Sequence, residues 1–214
     1  MDESIKDFYL MQKVPDYEQS HEKRFVHFIQ DLSLNSISNS KIADVGCGYG
    51  PIFQRLSKDK NNTFIGFDGA ELNTDFEYRK VDLSYDFFGD EYLKNNEKVD
   101  YALCLETLEH LTNPYHCLIE TKKILKLDGI LYLSIPDVSV SHNTIYPTLI
   151  YPVDNFIIFL KQLAFEILDV RVHRESFCQQ VFTLKNKDWN ESKMLWPKNE
   201  QKFQNVPPHI SVNL

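Results

Sequence analysis

The stretch Ile42-Ala43-Asp44-Val45-Gly46-Cys47-Gly48-Tyr49-Gly50-Pro51 decides the fold. Its apolar first half is typical of a buried parallel strand, and three glycines at alternate positions predict a tight turn after it. Glycine permits positive φ angles and the close approach of a ligand or another backbone. Because α/β folds bind nucleotide-like ligands at the turn after a first parallel strand, the stretch predicts such a site. The alternative is a glycine-rich loop without a ligand.

Two other glycine-rich motifs fit this turn poorly. A phosphate-binding P-loop needs Gly-Lys-Ser/Thr, and no lysine follows these glycines. A dinucleotide-binding turn needs Gly-x-Gly-x-x-Gly. Here the third glycine comes one residue early, and Pro51 takes the place of the last glycine. A dehydrogenase is therefore disfavoured.

The composition favours a soluble globular protein. With 214 residues and a 43% hydrophobic share, the chain is long enough for one domain with its own core. We expect a single domain over residues 1–214, with residues 1–33 as a helical cap and residues 186–214 as a tail. The formal net charge of -8 argues against a nucleic-acid partner, since such proteins usually carry basic surfaces.

No apolar run approaches the roughly 18 residues of a membrane-spanning helix, so membrane insertion is not expected. The acidic N-terminus lacks the features of a signal peptide, which predicts a cytoplasmic protein. The four cysteines are Cys47, Cys104, Cys117 and Cys178. None forms a Cys-x-x-Cys pair, so we expect reduced, structural thiols and no metal site.

Strands and helices alternate along the chain. Apolar runs predict parallel strands at 41–45, 63–67, 77–81, 99–105 and 130–135, and a final antiparallel hairpin at 165–173 and 177–185. A helix is predicted after Pro114, with Lys122 on its solvated face and Asp128-Gly129 as its end. A long irregular segment, 137–155, precedes another helix and is of the kind that often serves function.

Acidic residues stand at the ends of two predicted strands. Asp68 comes 22 residues after Gly46, the place where nucleoside-binding folds hold the ribose hydroxyls. A carboxylate suits this role because it accepts two adjacent O–H bonds at once. Asp82 ends the third strand and is suited to accept an adenine amine. A helix cap is the alternative for Asp82.

These residues together resemble a known family. The pattern Asp44-x-Gly46-x-Gly48-x-Gly50, with Asp68, Asp82 and the phrase Leu103 to His110, resembles the class I S-adenosylmethionine-dependent methyltransferases. The phrase after strand 4 is similar to that of small-molecule enzymes resembling ubiquinone O-methyltransferases. The resemblance covers roughly residues 20–185. It implies a Rossmann-like, doubly wound, seven-stranded and mostly parallel sheet with an antiparallel C-terminal strand.

The resemblance also implies S-adenosylmethionine as the cofactor and gives each motif residue a role. Asp44 would reach the methionine amine, and Asp68 would bind the ribose diol. Asp82 and the Leu83 N–H would read the adenine. The methionine part would lie against the turn residues and against backbone after strand 4: Gly46, Cys47, Gly48, Tyr49, Leu105 and Glu106.

The predicted function is methyl transfer to a small molecule, on oxygen. Enzymes that methylate base amino groups carry Asn/Asp-Pro-Pro-aromatic after strand 4, and this chain has Leu105-Glu106-Thr107-Leu108 there. Sugars, quinone-like compounds and phosphorylated metabolites all stay open as acceptors. The alternative is a non-catalytic protein of the same fold that binds the cofactor or a partner protein.

Two histidines are candidate bases for an oxygen acceptor. His110 follows strand 4, and His142 follows strand 5, so both are predicted at the sheet edge that binds ligands. If a helix begins near Thr107, Glu106 and His110 lie one turn apart on the same side. The alternatives are a histidine that stabilises its own turn at 110 and a surface histidine at 142. Tyr146 and Tyr151 share the second loop and would suit a lid.

Overall fold

The computed structural model describes residues 25–56, 60–71, 76–136, 153–173 and 179–192. Its strands are β1 (Lys41–Val45), β2 (Thr63–Asp68), β3 (Glu77–Lys80), β4 (Val99–Cys104), β5 (Leu125–Pro136), β6 (Phe165–His173) and β7 (Gln179–Asn186). Its helices are α1 (25–31), α2 (Pro51–Arg55), α3 (Phe88–Leu93), α4 (Pro114–Ile124), α5 (Val153–Gln162) and α6 (Trp189–Ser192). Short 3-10 turns cover Leu34–Ser36 and Leu108–His110.

The seven strands form one sheet in the order β3-β2-β1-β4-β5-β7-β6. The first five strands are parallel to one another, whereas β7 is antiparallel to both β5 and β6. The strand order reverses between β1 and β4, which is the switch point where such sheets open a crevice for ligands. The predicted fold class is confirmed.

Both faces of the sheet are covered, and each has its own core. Helices α3, α4 and α5 pack with Ala43 and Val45 of β1 on one face. Helices α1 and α2 pack with Ile42 of the same strand on the other. A central strand buried on both faces must be apolar at nearly every position. This explains why the first strands were readable as continuous apolar runs.

The start of β5 was predicted wrongly. Helix α4 ends at Ile124 and β5 begins at Leu125, so Asp128-Gly129 does not end a helix. The pairing of β4 with β5 jumps from Val99↔Leu125 to Tyr101↔Ile130, which leaves a bulge around Asp128. Asp128 has a φ of 63°, in the left-handed region. The glycine signal therefore marks an irregularity inside a strand.

The prediction that Lys122 lies on a solvated face was also wrong, because its side chain is 2% exposed. Its Nζ donates to the carbonyls of Ala164 (3.3 Å) and Lys187 (2.7 Å) and to Oδ1 of Asn186. A buried ammonium needs such acceptors to replace water. The lysine therefore ties α4 to the C-terminal hairpin.

Cys47, Cys104 and Cys117 are buried free thiols, as predicted, and Cys178 lies outside the described residues. In the described ranges no group of three metal-ligating side chains is placed to hold an ion. No helix within those ranges is long and apolar enough to cross a membrane. The predicted helical cap over 1–33 and the predicted tail over 186–214 lie largely outside the residues that the structure describes.

Candidate active site

The glycine turn after β1 is held by the next strand. Gly46, Gly48 and Gly50 all have positive φ angles, of 84°, 49° and 77°. That region is open to glycine and disfavoured for residues with a Cβ atom. The Gly46 and Cys47 amides donate to the carbonyl of Phe67, at 2.8 and 3.2 Å. The tight turn that the sequence predicts is present at the carboxyl end of β1.

Thr107 fastens the turn after β4 to the glycine turn. A Cβ atom on Gly46 would lie 2.2 Å from Thr107 Oγ1, so the threonine side chain fills the space that glycine leaves. The same Oγ1 lies 3.1 Å from the Val45 carbonyl and 3.0 Å from the Leu105 carbonyl. The ends of β1 and β4 thus meet through one buried hydroxyl.

Asp68 lies at the end of β2, as the ribose role requires, but its side chain is 0% exposed. Its Oδ2 accepts from the Gly48 amide and its Oδ1 from the Ala70 amide, each at 2.9 Å. A carboxylate oxygen accepts more than one hydrogen bond, so this arrangement is compatible with added ribose hydroxyls.

Asp44 is the second buried carboxyl of this crevice. Burial, and then the charge of Asp68, raise the pKa of Asp44 from 3.8 to about 8. Burial and the same two carboxylates raise the pKa of the Cys47 thiol far above its ordinary range, so the thiol stays neutral. A cation bound here would stabilise the carboxylates. S-adenosylmethionine carries an ammonium and a sulfonium, so these residues fit it.

Residues 82–86, where the sequence predicts adenine contacts, form a turn after β3. The exposed Asp82 accepts the Ser84 amide on Oδ1 at 2.9 Å, and the Asp82 amide donates to Asp86 Oδ2 at 2.7 Å. Asp82 therefore stabilises its own turn, and it is not the helix cap that was the alternative, since the N-cap of the next helix is Phe87. The Leu83 side chain is in the core. In the glycine turn, the carbonyl oxygen of Tyr49 accepts a hydrogen bond from Gln54 Nε2 at 2.9 Å.

The structure separates Glu106 from His110. Glu106 has a φ of 55°, and the 3-10 turn starts only at Leu108, so the two residues do not share a helical face. Glu106 bonds Ser134 of β5 instead: its amide donates to Ser134 Oγ at 2.8 Å, and that hydroxyl donates to Glu106 Oε1 at 2.9 Å. The expected pairing across one helical turn is wrong because no helix begins at Thr107.

His110 lies on the 3-10 turn beyond β4, with Nε2 3.9 Å from Oε1 of the buried Glu109. A carboxylate thus stands beside a ring that gains positive charge when it takes a proton. The candidate base His142, with Tyr146, lies outside the described residues.

A family model of a methyltransferase domain matches residues 17–205. The chain belongs to this methyltransferase family. The resemblance to the class I S-adenosylmethionine-dependent methyltransferases that the motifs carry is confirmed.

Similar curated proteins include a ubiquinone biosynthesis O-methyltransferase of Actinobacillus pleuropneumoniae. It is 28% identical over 128 residues, which cover 51% of this methyltransferase and 54% of that protein. A tRNA U34 carboxymethyltransferase of Sulfurimonas denitrificans is 31% identical over 100 residues, 44% of this chain and 34% of that protein. The methyltransferase spans about half the length, or less, of these relatives.

A solved structure of similar fold is the 1,6-didemethyltoxoflavin-N1-methyltransferase of Burkholderia thailandensis, with 1,6-didemethyltoxoflavin and S-adenosylhomocysteine bound. It matches with a TM-score of 0.62 at 14% identity, over 87% of this methyltransferase and 86% of that chain. At this identity the likeness shows the fold alone.

Three buried polar residues near the strand ends were not predicted as candidate site residues: Thr107, Ser134 and Gln180. Thr107 and Ser134 are buried hydroxyls at the turn after β4. Gln180 of β7 is buried opposite Ile135, and its Oε1 has no hydrogen-bond partner among the described residues. A signal existed for Ser134 and Gln180, since each is a polar residue next to apolar strand positions. Their partners become visible only when the strands are paired.

Proposed function

We propose that this methyltransferase moves a methyl group from S-adenosylmethionine to an oxygen atom of a small molecule. The observation that carries the proposal is the meeting, at the switch point of the sheet, of the glycine turn with Asp68 and with Thr107 of the turn after β4. Curated relatives named ubiquinone biosynthesis O-methyltransferases support oxygen as the acceptor atom. Sugars, quinone-like compounds and phosphorylated metabolites are the candidate acceptors.

In this proposal the cofactor lies across the carboxyl ends of β1, β2 and β4. Asp44 pairs with the methionine ammonium, and its buried position makes that cation favourable. Asp68 accepts the ribose hydroxyls. Asp82 and the Leu83 N–H bind the adenine. The methionine part lies against the glycine turn and the backbone of residues 105–106.

When bound, S-adenosylmethionine supplies a methyl group on a positively charged sulfur, which makes the methyl carbon electrophilic. The protein's own part is to align the acceptor and to exclude water. His110 takes the proton that an acceptor hydroxyl loses, with the Glu109 carboxylate 3.9 Å from its Nε2. His142 is the second candidate for this role. The buried Gln180 amide is a further group suited to hold an acceptor hydroxyl at the end of β5.

A panel of acceptors tests the proposal. The protein is incubated with S-adenosylmethionine and a catechol-type quinone precursor, a sugar, a phosphorylated metabolite or a bulk tRNA, and each acceptor is examined for the mass of an added methyl group. We expect a product among the small molecules. Methylation of the tRNA alone would contradict the small-molecule proposal. Tight S-adenosylhomocysteine binding without any methylated product would favour the non-catalytic alternative.

The histidine role is tested by substitution. His110→Ala and His142→Ala are compared with His27→Ala, an exposed histidine of α1. The variant that loses the base should turn over roughly two to four powers of ten more slowly, with S-adenosylhomocysteine affinity unchanged. If both variants keep the wild-type rate from about pH 6 to 9, alignment alone carries the reaction.

A further inference from the structure

Glu106 has a backbone conformation that its residue type disfavours. Its φ of 55° lies in the left-handed region, where a Cβ atom approaches the following carbonyl. Such residues persist only where the surroundings hold them, and they cluster at functional sites. Glu106 lies directly after β4, beside the Leu105 backbone, at the edge of the cofactor crevice.

Ser134 holds this conformation from the neighbouring strand. Its side chain is 0% exposed, and it is the one polar position in the apolar stretch Ile130–Ile135 apart from the tyrosine hydroxyl. The Ser134 hydroxyl accepts from the Glu106 amide at 2.8 Å and donates to Glu106 Oε1 at 2.9 Å. One side chain thus bonds both the backbone and the carboxylate of the same residue. This closed pair leaves Glu106 little freedom to rotate its peptide.

The turn is fixed on its other side as well. Thr107 Oγ1 lies within hydrogen-bond distance of the Val45 and Leu105 carbonyls, and its methyl side fills the space beside Gly46. The backbone from Leu105 to Thr107 is therefore clamped between β5 and the glycine turn. Thr107 sets the distance to the glycine turn, and Ser134 sets the orientation of the Glu106 peptide.

We propose that Ser134 is a positioning residue for cofactor binding, which acts by holding Glu106 in the left-handed conformation. The Leu105 and Glu106 backbone is then oriented toward the methionine end of the cofactor. This inference rests on the proposed placement of the methionine part against residues 105–106. It assigns to β5, which the cofactor motifs do not include, a part in preparing the cofactor site.

The test is S-adenosylhomocysteine affinity, measured by calorimetry on the whole chain. Ser134→Ala removes both hydrogen bonds and should weaken binding about tenfold. Glu106→Gly removes the carboxylate that Ser134 bonds, and glycine adopts positive φ without help, so this variant serves as the background in which Ser134 has no conformation left to hold. In the Glu106→Gly background, Ser134→Ala should then cost less than about threefold, so the two changes are not additive.

Thr121→Val is the matched control. Thr121 is a fully buried hydroxyl that bonds the Cys117 carbonyl at 2.8 Å, about two turns into α4 from its start at Pro114. This variant loses a buried hydroxyl that does not contact Glu106. Its affinity for S-adenosylhomocysteine should therefore equal that of the wild type.

Three results would overturn the inference while leaving the cofactor assignment intact. They are wild-type affinity in Ser134→Ala, an equal loss for Ser134→Ala in both backgrounds, or a loss above tenfold in Glu106→Gly alone. The last would assign the effect to the Glu106 carboxylate. Absence of S-adenosylhomocysteine binding in the wild-type protein would instead contradict the proposed cofactor site itself.

Discussion

At the scale of single residues, the sheet places two acidic side chains close together where water is excluded. Asp44 and Asp68 are both buried, and they end neighbouring parallel strands. Two carboxyls so placed do not both ionise readily, because each disfavours charge on the other. The Gly48 and Ala70 amides donate to Asp68, which stabilises the charge there. Asp44 is consequently the group that holds a proton.

This charge distribution gives the free energy of unfolding a pH dependence. The pKa of Asp44 rises from 3.8 to about 8 on folding, because of burial first and the Asp68 charge second. Between those values the folded chain keeps a proton that the unfolded chain has lost. The contribution is therefore full below about pH 4 and is lost as pH rises toward 8, by at most about 1.4 kcal/mol per pH unit.

Asp44→Asn should abolish that slope, because the amide has no proton to lose. Urea unfolding at about pH 5 and about pH 8 gives the free energy of unfolding of each protein, and its change between the two pH values is compared for wild type and variant. Asp100→Asn is the matched control and should keep the wild-type slope between these pH values, because a pKa lowered from 3.8 changes stability only below about pH 4. Burial alone would raise the pKa of Asp100, but Lys126 Nζ at 2.7 Å and the Lys41 amide at 2.9 Å hold it below its ordinary value. A wild-type slope in Asp44→Asn would contradict the assignment.

The sequence predicted which residues stand at the strand ends, and it did not predict how they bond. Asp44, Asp68 and Asp82 could be placed because each follows an apolar run. The bond between Glu106 and Ser134 joins residues 28 positions apart, and only the pairing of β4 with β5 brings them together. The bond of Asp82 within its own turn was not predicted, because the alternative for Asp82 was a helix cap.

At the scale of elements, α4 is joined to the C-terminal hairpin by a buried cation. The Lys122 ammonium lies 4.8 Å from the Phe165 ring centre and 4.9 Å from that of Trp189. Aromatic faces attract a cation, and the three oxygen acceptors around Nζ replace its water. The amphipathic pattern of α4 could not reveal this, because lysine on a helix is usually solvated.

Lys122→Met should therefore destabilise the fold although it adds apolar surface. It leaves the Ala164 and Lys187 carbonyls and Asn186 Oδ1 without their shared donor, at a cost of about 1–3 kcal/mol. Urea unfolding measures the loss. Lys94→Met is the matched control, since Lys94 pairs with Glu91 on the exposed surface and such pairs contribute about 0–1 kcal/mol. An equal loss of unfolding free energy in the two variants would show that the buried contacts of Lys122 do not stabilise the fold.

Elements whose apolar residues follow one clear helix or strand spacing were predicted well. Elements whose apolar and polar residues follow no single spacing were not. β1, β2 and the hairpin have nearly the expected bounds. Helix α3 was not predicted, because its six residues mix aromatic and acidic side chains in less than two turns. β5 starts earlier than predicted, because the Asp128 bulge interrupts its apolar run.

At the scale of the whole molecule, cofactor binding should stabilise the fold as a unit. The crevice joins β1, β2 and β4, so a ligand there binds the folded chain alone. At a concentration about 100 times its Kd, S-adenosylhomocysteine should add about 2.7 kcal/mol, which raises Tm by roughly 5–10 °C. Thermal unfolding with and without the ligand measures the shift.

Asp68→Asn should need about tenfold more ligand for the same shift, because it weakens charge-assisted bonds to the ribose. Asp169→Asn alters an exposed carboxylate that pairs with Arg171 on β6, and its shift should match the wild type. A wild-type shift in a folded Asp68→Asn protein would remove Asp68 from the ribose site.

The place of β7 in the sheet has a consequence for synthesis. β7 lies between β5 and β6, yet it leaves the ribosome after both. About 50 residues separate the end of β5 from the end of β7, which is a delay on the order of seconds at the usual rate of translation. During that interval the edge of β5 lacks its covering strand, and an uncovered edge invites pairing with another chain. Nascent chains crowded on one messenger are thus most prone to aggregate before residue 186 emerges, when a chaperone's protection counts most.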